Sequence, residues 1–323
     1  MLPVAVDAMG GDKAPGEILA GAHAAAALGI SVVLVGPEGL DGCGDLPLIH
    51  ASEVIAMDDD AAQGVRRKKD STLVRAAEAV RDGKAGAMVS AGNTGATMAS
   101  ALLRMGRISG VKRPAIATVI PVPGLHPNVL LDSGANAEVQ VEWLGQFARM
   151  GSIYARHRFG VEVPKVGLLS IGEEPGKGDS LRKEAFELLS NTPGIDFIGN
   201  VEGRDLMLKT ADVIVTDGFT GNVALKTLEG GLKTLFNALL TAFASEPHYK
   251  EHADALLPAL LPLHAEMSPD TYGGAVLLGV DGICIISHGS SGERAMLNAI
   301  KLADEMARSG LVDEITAAFA TGE

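Results

Sequence analysis

The sequence predicts an α/β fold with three layers, α/β/α, around a mainly parallel sheet. Three observations carry this. Short apolar runs rich in Val and Ile recur along the chain, and most are continuous rather than alternating, as strands buried on both faces require. Most of these runs end in Gly or Asp and lead into a helical pattern. Glycine is abundant, 40 of 323 residues, against a usual level of about 7%, and it sits at the turns without a collagen period.

The expected strands are Leu2–Val6, Val32–Val35, Ala87–Ser90, Ile116–Ile120, Val129–Leu131, Val166–Ser170, Val213–Thr216 and Ile283–Ser287. The expected helices are Glu17–Leu28, Leu73–Arg81, Thr94–Arg104, Glu138–Arg156, Leu181–Leu189, Val223–Phe243 and Ala295–Ala307. No linker rich in Pro, Ser or charge interrupts them, so residues 1–323 read as a single domain with a cleft between two tightly joined parts. One segment departs from the pattern. Residues 233–267 hold a polar stretch and then Leu256, Leu257, Leu260, Leu261 and Leu263 between Pro258 and Pro262. That density of leucine is too high for an exposed loop, and the prolines are too frequent for one long helix. The segment reads as a helical protrusion packed on a dimer partner or touching lipid.

Composition excludes several classes. Hydrophobic residues make up 47% and charged residues 21%, too apolar for a disordered chain. Lys and Arg total 27 against 40 Asp and Glu, a formal charge of -13. That field repels nucleic acid, and aromatic residues are too few, at 4%, for base-stacking platforms. The first residues lack the basic start of a signal peptide. The longest uncharged stretch, Ile18 to Pro37, is broken by Gly21, His23 and Gly36 and reads as helix, turn and strand rather than a membrane span. Two cysteines, Cys43 and Cys284, make no disulfide framework. The expectation is a soluble cytoplasmic protein.

In open α/β sheets, ligands bind where strands end and helices begin. Four such turns are rich in small and polar residues: Asp7-Ala-Met-Gly-Gly-Asp12, Ser90-Ala-Gly-Asn-Thr-Gly95, Ile171-Gly-Glu-Glu-Pro-Gly-Lys-Gly-Asp179 and Asp217-Gly-Phe-Thr-Gly-Asn222. Each offers backbone N–H groups and a following helix N-terminus to an anion. Helix capping accounts for any one of them; four together point to a shared anion cleft. None is a nucleotide loop. Gly172 to Gly178 is one residue short of a Walker A spacing and lacks its final Ser or Thr, and no Gly-x-Gly-x-x-Gly follows the first strand. His248 and His252 do not have the His-Glu-x-x-His order of a zinc helix, Glu251 standing before the second histidine rather than after the first, and Asp58-Asp59-Asp60 reads as a solvated turn, so no metal site is expected. Cys284 lies in an apolar run, Cys43 has no basic neighbour, and no Gly-x-Ser-x-Gly elbow is present. The chain offers no convincing covalent nucleophile, so the expectation is that the substrate brings one. Lys13, Lys177, Arg182, Lys183, Arg204 and Lys226 stand near the turns. Lys183 opposes the dipole at the start of its helix, a cost that a bound anion would offset.

These turns, together with Leu131-Asp-Ser-Gly-Ala-Asn136, Gly167-Leu-Leu-Ser-Ile-Gly-Glu-Glu174, Phe197-Ile-Gly-Asn-Val-Glu-Gly-Arg-Asp205 and His288-Gly-Ser-Ser291, resemble the PlsX family in order and over essentially the whole chain. The resemblance implies a fold similar to isocitrate and isopropylmalate dehydrogenases and to phosphate acetyltransferase. It implies a cytoplasmic homodimer, free or loosely attached to the inner face of the membrane. The implied activity moves a fatty acyl group from acyl carrier protein to inorganic phosphate, without a cofactor. The acyl phosphate then passes to a PlsY-type membrane acyltransferase. By matched position, Lys183 binds phosphate or the oxyanion and Asn222 donates to the thioester carbonyl. Gly92, Asn93, Thr94 and Gly95 form a phosphate loop; Asp7, Asp12, Asn136 and Asp217 shape the cleft. His288 either protonates the leaving thiolate or is structural. The chain departs from the family pattern at Gly178-Asp-Ser-Leu181, where Gly-Asn-Glu-Leu is usual, and at Ser133. A dehydrogenase on the same fold would need metal-binding aspartates and nicotinamide contacts that cannot be assembled here. A phosphate acetyltransferase using coenzyme A and a non-catalytic scaffold for acyl carrier protein and membrane are the other readings.

Overall fold

A computed structural model describes residues 2–320. Its strands are β1 (Val4–Asp7), β2 (Val32–Gly36), β3 (Leu48–His50), β4 (Ala87–Ser90), β5 (Ala115–Ile120), β6 (Asn128–Leu131), β7 (Lys165–Leu169), β8 (Asp196–Val201), β9 (Val213–Val215), β10 (Ala275–Leu278) and β11 (Ile283–Ile286). The helices are α1 (Gly16–Ala27), α2 (Ala61–Arg67), α3 (Thr72–Arg81), α4 (Thr94–Arg104), α5 (Val141–Phe159), α6 (Ser180–Ser190), α7 (Gly218–Phe243), α8 (Pro247–Met267), α9 (Glu293–Ser309) and α10 (Leu311–Ala320).

All eleven strands join one sheet in the order β3-β2-β1-β4-β11-β10-β5-β6-β9-β7-β8. Seven of its ten pairings are parallel. The antiparallel three are β11–β10, β10–β5 and β5–β6 at the centre. An odd number of reversals separates the two parallel blocks. Strands β1, β2, β3, β4 and β11 therefore run opposite to β6, β7, β8 and β9. The carboxyl ends of the two blocks open on opposite edges of one sheet.

The two-residue period of a strand assigns its side chains to two layers. Val4, Val6, Val89, Ala117, Leu131, Leu168 and Val215 face one side, where they pack with Ile18, Phe147, Tyr154, Met296 and Ile300 of α1, α5 and α9. Ala5, Met88, Ile116 and Cys284 face the other, against Leu73, Val74, Ala96 and Ala101 of α3 and α4. Leu130, Leu169, Val201 and Ile214 continue that second face under Ala224, Leu225 and Leu228 of α7. Helices α1 and α9 approach closely, because a methyl group on Gly21 would come within 2.5 Å of the Met296 side chain.

Three strands, β3, β8 and β10, and two helices, α2 and α10, were not expected from the sequence. β3 has three residues, and β8 is an edge strand with a half-exposed, irregular burial pattern. Asp58-Asp59-Asp60 is more than a solvated turn: Asp60 caps α2 by accepting from the Gln63 N–H, and Asp59 pairs with Lys68 at 2.6 Å.

The 233–267 segment also needs correction. It is the last part of one helix and the whole of a second, and α8 runs through both Pro258 and Pro262 without a break. The two prolines are four residues apart, so both missing N–H donors fall on one stripe. Both residues are exposed, leaving water to satisfy the freed carbonyls. Only Ala253 of α8 is buried. The hairpin is held by the stacked Phe236 and His264 rings, 4.2 Å between centroids, and by Glu266 accepting from the Gly124 N–H at 2.9 Å. Among the described residues, no helix is long and apolar enough to cross a membrane.

Candidate active site

The opposed strand blocks divide the expected site residues into two groups. Asp7, Asp12, Gly92, Asn93, Thr94, Gly95 and His288 follow β1, β4 and β11 at one edge of the sheet. Asn136, Asp217, Asn222 and Lys183 follow β6, β9 and β7 at the other. No hydrogen bond or ion pair joins the groups among the described residues. The turns expected to share a single cleft thus lie at opposite ends of the strands within one chain. The sequence cannot show this, since it depends on the reversal at β10 and β5.

At the first edge, Asp7 is buried and accepts from the Ser90 hydroxyl at 2.6 Å and the Met9 N–H at 3.2 Å. Burial raises its pKa, and these hydrogen bonds only partly oppose that. Ser90 Oγ in turn accepts from the Gly92 N–H at 2.9 Å. A methyl on Gly10 would lie 2.4 Å from the Asp7 carboxylate, so only glycine lets the two turns meet. Asn93 caps α4, accepting from the Ala96 N–H at 3.0 Å while its amide donates to the carbonyls of Met57 and Asp59. Its side chain is spent on structure, and what this turn offers an anion is its backbone and the exposed Thr94. Asp12 is exposed and bound through its N–H to the Gly289 carbonyl at 2.8 Å. His288 is exposed too. The Ser290 N–H donates to its Nδ1 at 3.2 Å, so in the neutral ring the proton sits on Nε2.

At the second edge the organising group is a buried carboxylate absent from the expected set. Asp132 Oδ1 accepts from the N–H groups of Ile116, Gly134 and Ala135. Its Oδ2 accepts from the Asn136 N–H at 2.7 Å and the Asn136 amide at 2.9 Å. Burial raises its pKa, and the same hydrogen bonds work in the opposite direction. Asn136 is thus a fastener: its amide also reaches the Pro114 carbonyl, and its own carbonyl accepts from the Gly218 N–H at 2.7 Å. The only sequence signal for Asp132 was its place in Leu131-Asp-Ser-Gly-Ala-Asn136.

The N-termini of α6 and α7 meet here. Asp179 caps α6 by accepting from the Arg182 N–H at 2.9 Å, and Asp217 caps α7 by accepting from the Thr220 N–H at 2.8 Å. Burial pushes the Asp217 carboxyl up, but the Thr220 hydrogen bonds and the Arg182 charge outweigh it and hold the pKa below the ordinary value. Between the two helix ends lies a cavity of about 600 Å³ lined by Glu138, Val139, Leu181, Arg182, Phe219 and Thr220, among others. Lys183 and Asn222, on the same two helices but outside that lining, are both exposed, and neither side chain has a hydrogen bond or ion pair among the described residues. By contrast, Arg182 is engaged on every side. Its charge is matched by Asp179 at 3.0 Å and by Asp217, so Lys183 carries the uncommitted cation of this helix end. Among the described residues no cluster of His, Cys, Asp and Glu could hold a metal.

The model of the fatty acid synthesis protein family matches residues 2–314. The phosphate acyltransferase of Elusimicrobium minutum is 50% identical, covering 97% of this chain and 94% of the relative. That of Geobacillus thermodenitrificans is 46% identical over 97% of this chain and 98% of its own length. Among solved structures, a phosphotransacetylase from Streptococcus pyogenes superposes with a TM-score of 0.61 at 17% identity, covering 95% of this chain and 94% of that one. The EutD phosphotransacetylase from Staphylococcus aureus gives 0.59 at 17% identity over the same shares. These two likenesses establish the fold, and the sequence kinship establishes more: the chain belongs to the fatty acid synthesis protein family, the PlsX family, whose members it matches from end to end are phosphate acyltransferases.

Proposed function

We propose that this chain transfers a long-chain fatty acyl group from the thioester of acyl carrier protein to inorganic phosphate. The products are free carrier protein and an acyl phosphate destined for phospholipid synthesis. Beside the kinship, one observation carries the reading. Two helix N-termini converge on a cavity where two carboxylates outnumber the single Arg182 cation, while Lys183 and Asn222, exposed on the same helices, stay uncommitted, Lys183 offsetting the surplus negative charge. An anion placed there gains the dipoles of both helices and one free cation.

In this reading a phosphate oxygen attacks the thioester carbon, and a C–O bond forms as negative charge moves to the carbonyl oxygen. Asn222 donates an amide N–H to that oxygen. Lys183 holds the incoming phosphate or the oxyanion. Collapse breaks the C–S bond, and the thiolate leaves with a proton from His288 Nε2. Donors fixed before the charge develops are what lower such a barrier. The backbone of residues 92–95 with Thr94 supplies further phosphate contacts, and Asp7, Asp12, Asn136 and Asp217 hold the turns in place.

Because the two half-sites open on opposite edges of the sheet, we assign the working enzyme as a homodimer. The edge bearing Lys183 and Asn222 of one copy then faces the edge bearing Gly92 and His288 of its partner. The α7–α8 hairpin, with Leu256 and Leu261 exposed, serves as a peripheral contact with the inner face of the membrane, where a PlsY-type acyltransferase consumes the product.

The test is a hydroxylamine trap for acyl phosphate, run with long-chain acyl carrier protein and, separately, with acetyl-coenzyme A. Phosphate-dependent trapping with the first donor alone is expected. Trapping with acetyl-coenzyme A alone would make the chain a phosphotransacetylase in activity as well as in fold.

A further inference from the structure

Among the described residues, the guanidinium of Arg182 hydrogen-bonds to the capping carboxylates of both helix ends of the second half-site. Its Nη1 donates to Asp179 Oδ2, the α6 cap, at 3.0 Å. Its Nη2 donates to Asp217, the α7 cap, to Thr220 Oγ1 at 3.0 Å and to Thr216 Oγ1 at 3.3 Å. The side chain is 13% exposed and its Asp217 partner 8%, so water does not compete freely for that bond, whereas Asp179 is 58% exposed and its bond faces solvent. Gly178 at φ +102° allows the fit, since a methyl there would lie 2.6 Å from Arg182 Cβ. Lys183 is the next residue on α6, and Asn222 lies five residues beyond Asp217 on α7. The β7–β9 pairing and the contact of Gly221 with the Asp132 carbonyl set the two helix ends coarsely, and this guanidinium is the side-chain tie between them.

We infer that Arg182 is a positioning residue: it locks the N-termini of α6 and α7 together and so sets the separation of Lys183 from Asn222. This rests on the functional reading given above, in which those two side chains act on phosphate and thioester. A planar fork that meets two carboxylates at once is a role lysine cannot fill, because an ammonium is a single point of charge. With both carboxylates satisfied, Arg182 has no charge left for phosphate. A displacement of about 1 Å in reacting groups costs on the order of a hundredfold in rate, so the loss should appear in turnover rather than in donor binding.

The experiment is a double-mutant cycle of Arg182→Ala and Lys183→Ala on the full-length enzyme, with Arg182→Lys alongside and melting temperatures recorded for all. Arg182→Ala should lower kcat by about ten- to a hundredfold, with the KM for acyl carrier protein changed by less than about threefold. Arg182→Lys should fold like the wild type and recover only part of kcat. The double variant should be no slower than Lys183→Ala alone, since a residue acting through another adds nothing once its target is gone. Multiplying losses would overturn the inference and make Arg182 a direct contact of the substrate. Wild-type kcat in Arg182→Lys and Arg182→Ala would overturn it as well, and Arg182→Lys decides the matter should the alanine variant not fold. A fully active Lys183→Ala would instead strike the functional reading itself.

Discussion

A methyl group on Gly221 would stand 1.9 Å from the carbonyl oxygen of Asp132. The first turn of α7 is thus pressed onto the turn after β6, and Asn222 is delivered beside Gly134 by that contact. Nothing short of moving one backbone relieves it, so Gly221→Ala should cost about 3 kcal/mol or more. At Gly230, in the same helix, a methyl would meet nothing within 4 Å, and replacement by Ala should gain about 0.5–1 kcal/mol. Thermal melting of the two variants checks both signs. Equal behaviour would mean that α7 can draw back from Asp132 at little cost.

Lys183→Ala should lower turnover by two orders of magnitude or more, because a preorganised donor contributes roughly 3 kcal/mol in the transition state. Stability should hardly change, since the side chain is exposed and unpaired. Steady-state kinetics beside a melting curve measures the two effects separately. Retention of more than about a tenth of the activity, at roughly 1.4 kcal/mol per tenfold, would remove Lys183 from the mechanism.

Asp217 gives a pH dependence with a definite sign. Its folded pKa lies below the ordinary aspartate value, through the Thr220 hydrogen bonds and the Arg182 charge acting against burial. Its contribution to stability is therefore complete above the unfolded value, about 3.9, and is lost as pH falls through the folded pKa. Asp217→Asn should melt below the wild type by a constant margin from pH 7 to about pH 5, and the margin should close at more acid pH. A margin that survives in acid would show that the carboxylate charge is not what holds α6 to α7.

Neither cysteine should carry the acyl group. Burial pushes the Cys284 thiol up to about 12, so almost no thiolate exists at neutral pH, and Cys43 donates its S–H to the Leu40 carbonyl at 2.8 Å. The Cys43→Ser, Cys284→Ala double variant should remain active in the hydroxylamine assay. Loss of activity in a folded double variant would reinstate an acyl-cysteine route.

The protruding hairpin makes a separable prediction. Leu256→Gln with Leu261→Gln should abolish weak liposome flotation and leave activity on soluble acyl carrier protein largely intact. Such a single apolar surface supports only reversible attachment, so vesicles in excess are needed. Dissociation of the proposed dimer on sedimentation, without selective loss of flotation, would place these leucines in the subunit interface.

Much of this was legible in the sequence. The strands buried on both faces announced themselves as continuous apolar runs, and Ala87–Ser90 and the helix Thr94–Arg104 have the limits their residues predict. Asp217-Gly-Phe-Thr-Gly-Asn222 reads as a turn ahead of a helix at Val223, but the helix already begins at Gly218 with Asp217 as its cap, and its two glycines are places of backbone contact rather than openings for a ligand. What local pattern could not carry was direction. The reversal at β10 and β5, which separates Asn93 from Lys183, is a property of strand pairing between segments far apart in the chain. Arg182 was visible as one cation among six near the turns. Only its four partners, drawn from β7–α6 and β9–α7 segments 35 residues apart, distinguish it from Lys183. The continuity of α8 through two prolines was illegible because each helix-breaking cost is local, whereas the hairpin contacts that override it are not.

Direct phosphate attack is tested most sharply by a rapid-quench single turnover with acyl carrier protein labelled in its fatty chain, mixed with excess enzyme with and without phosphate. Direct attack requires that no carrier thiol be released in the absence of phosphate, and that with phosphate one acyl phosphate form for each carrier freed. A phosphate-independent burst of carrier thiol equal to the donor, with the label covalently on the protein, would contradict it.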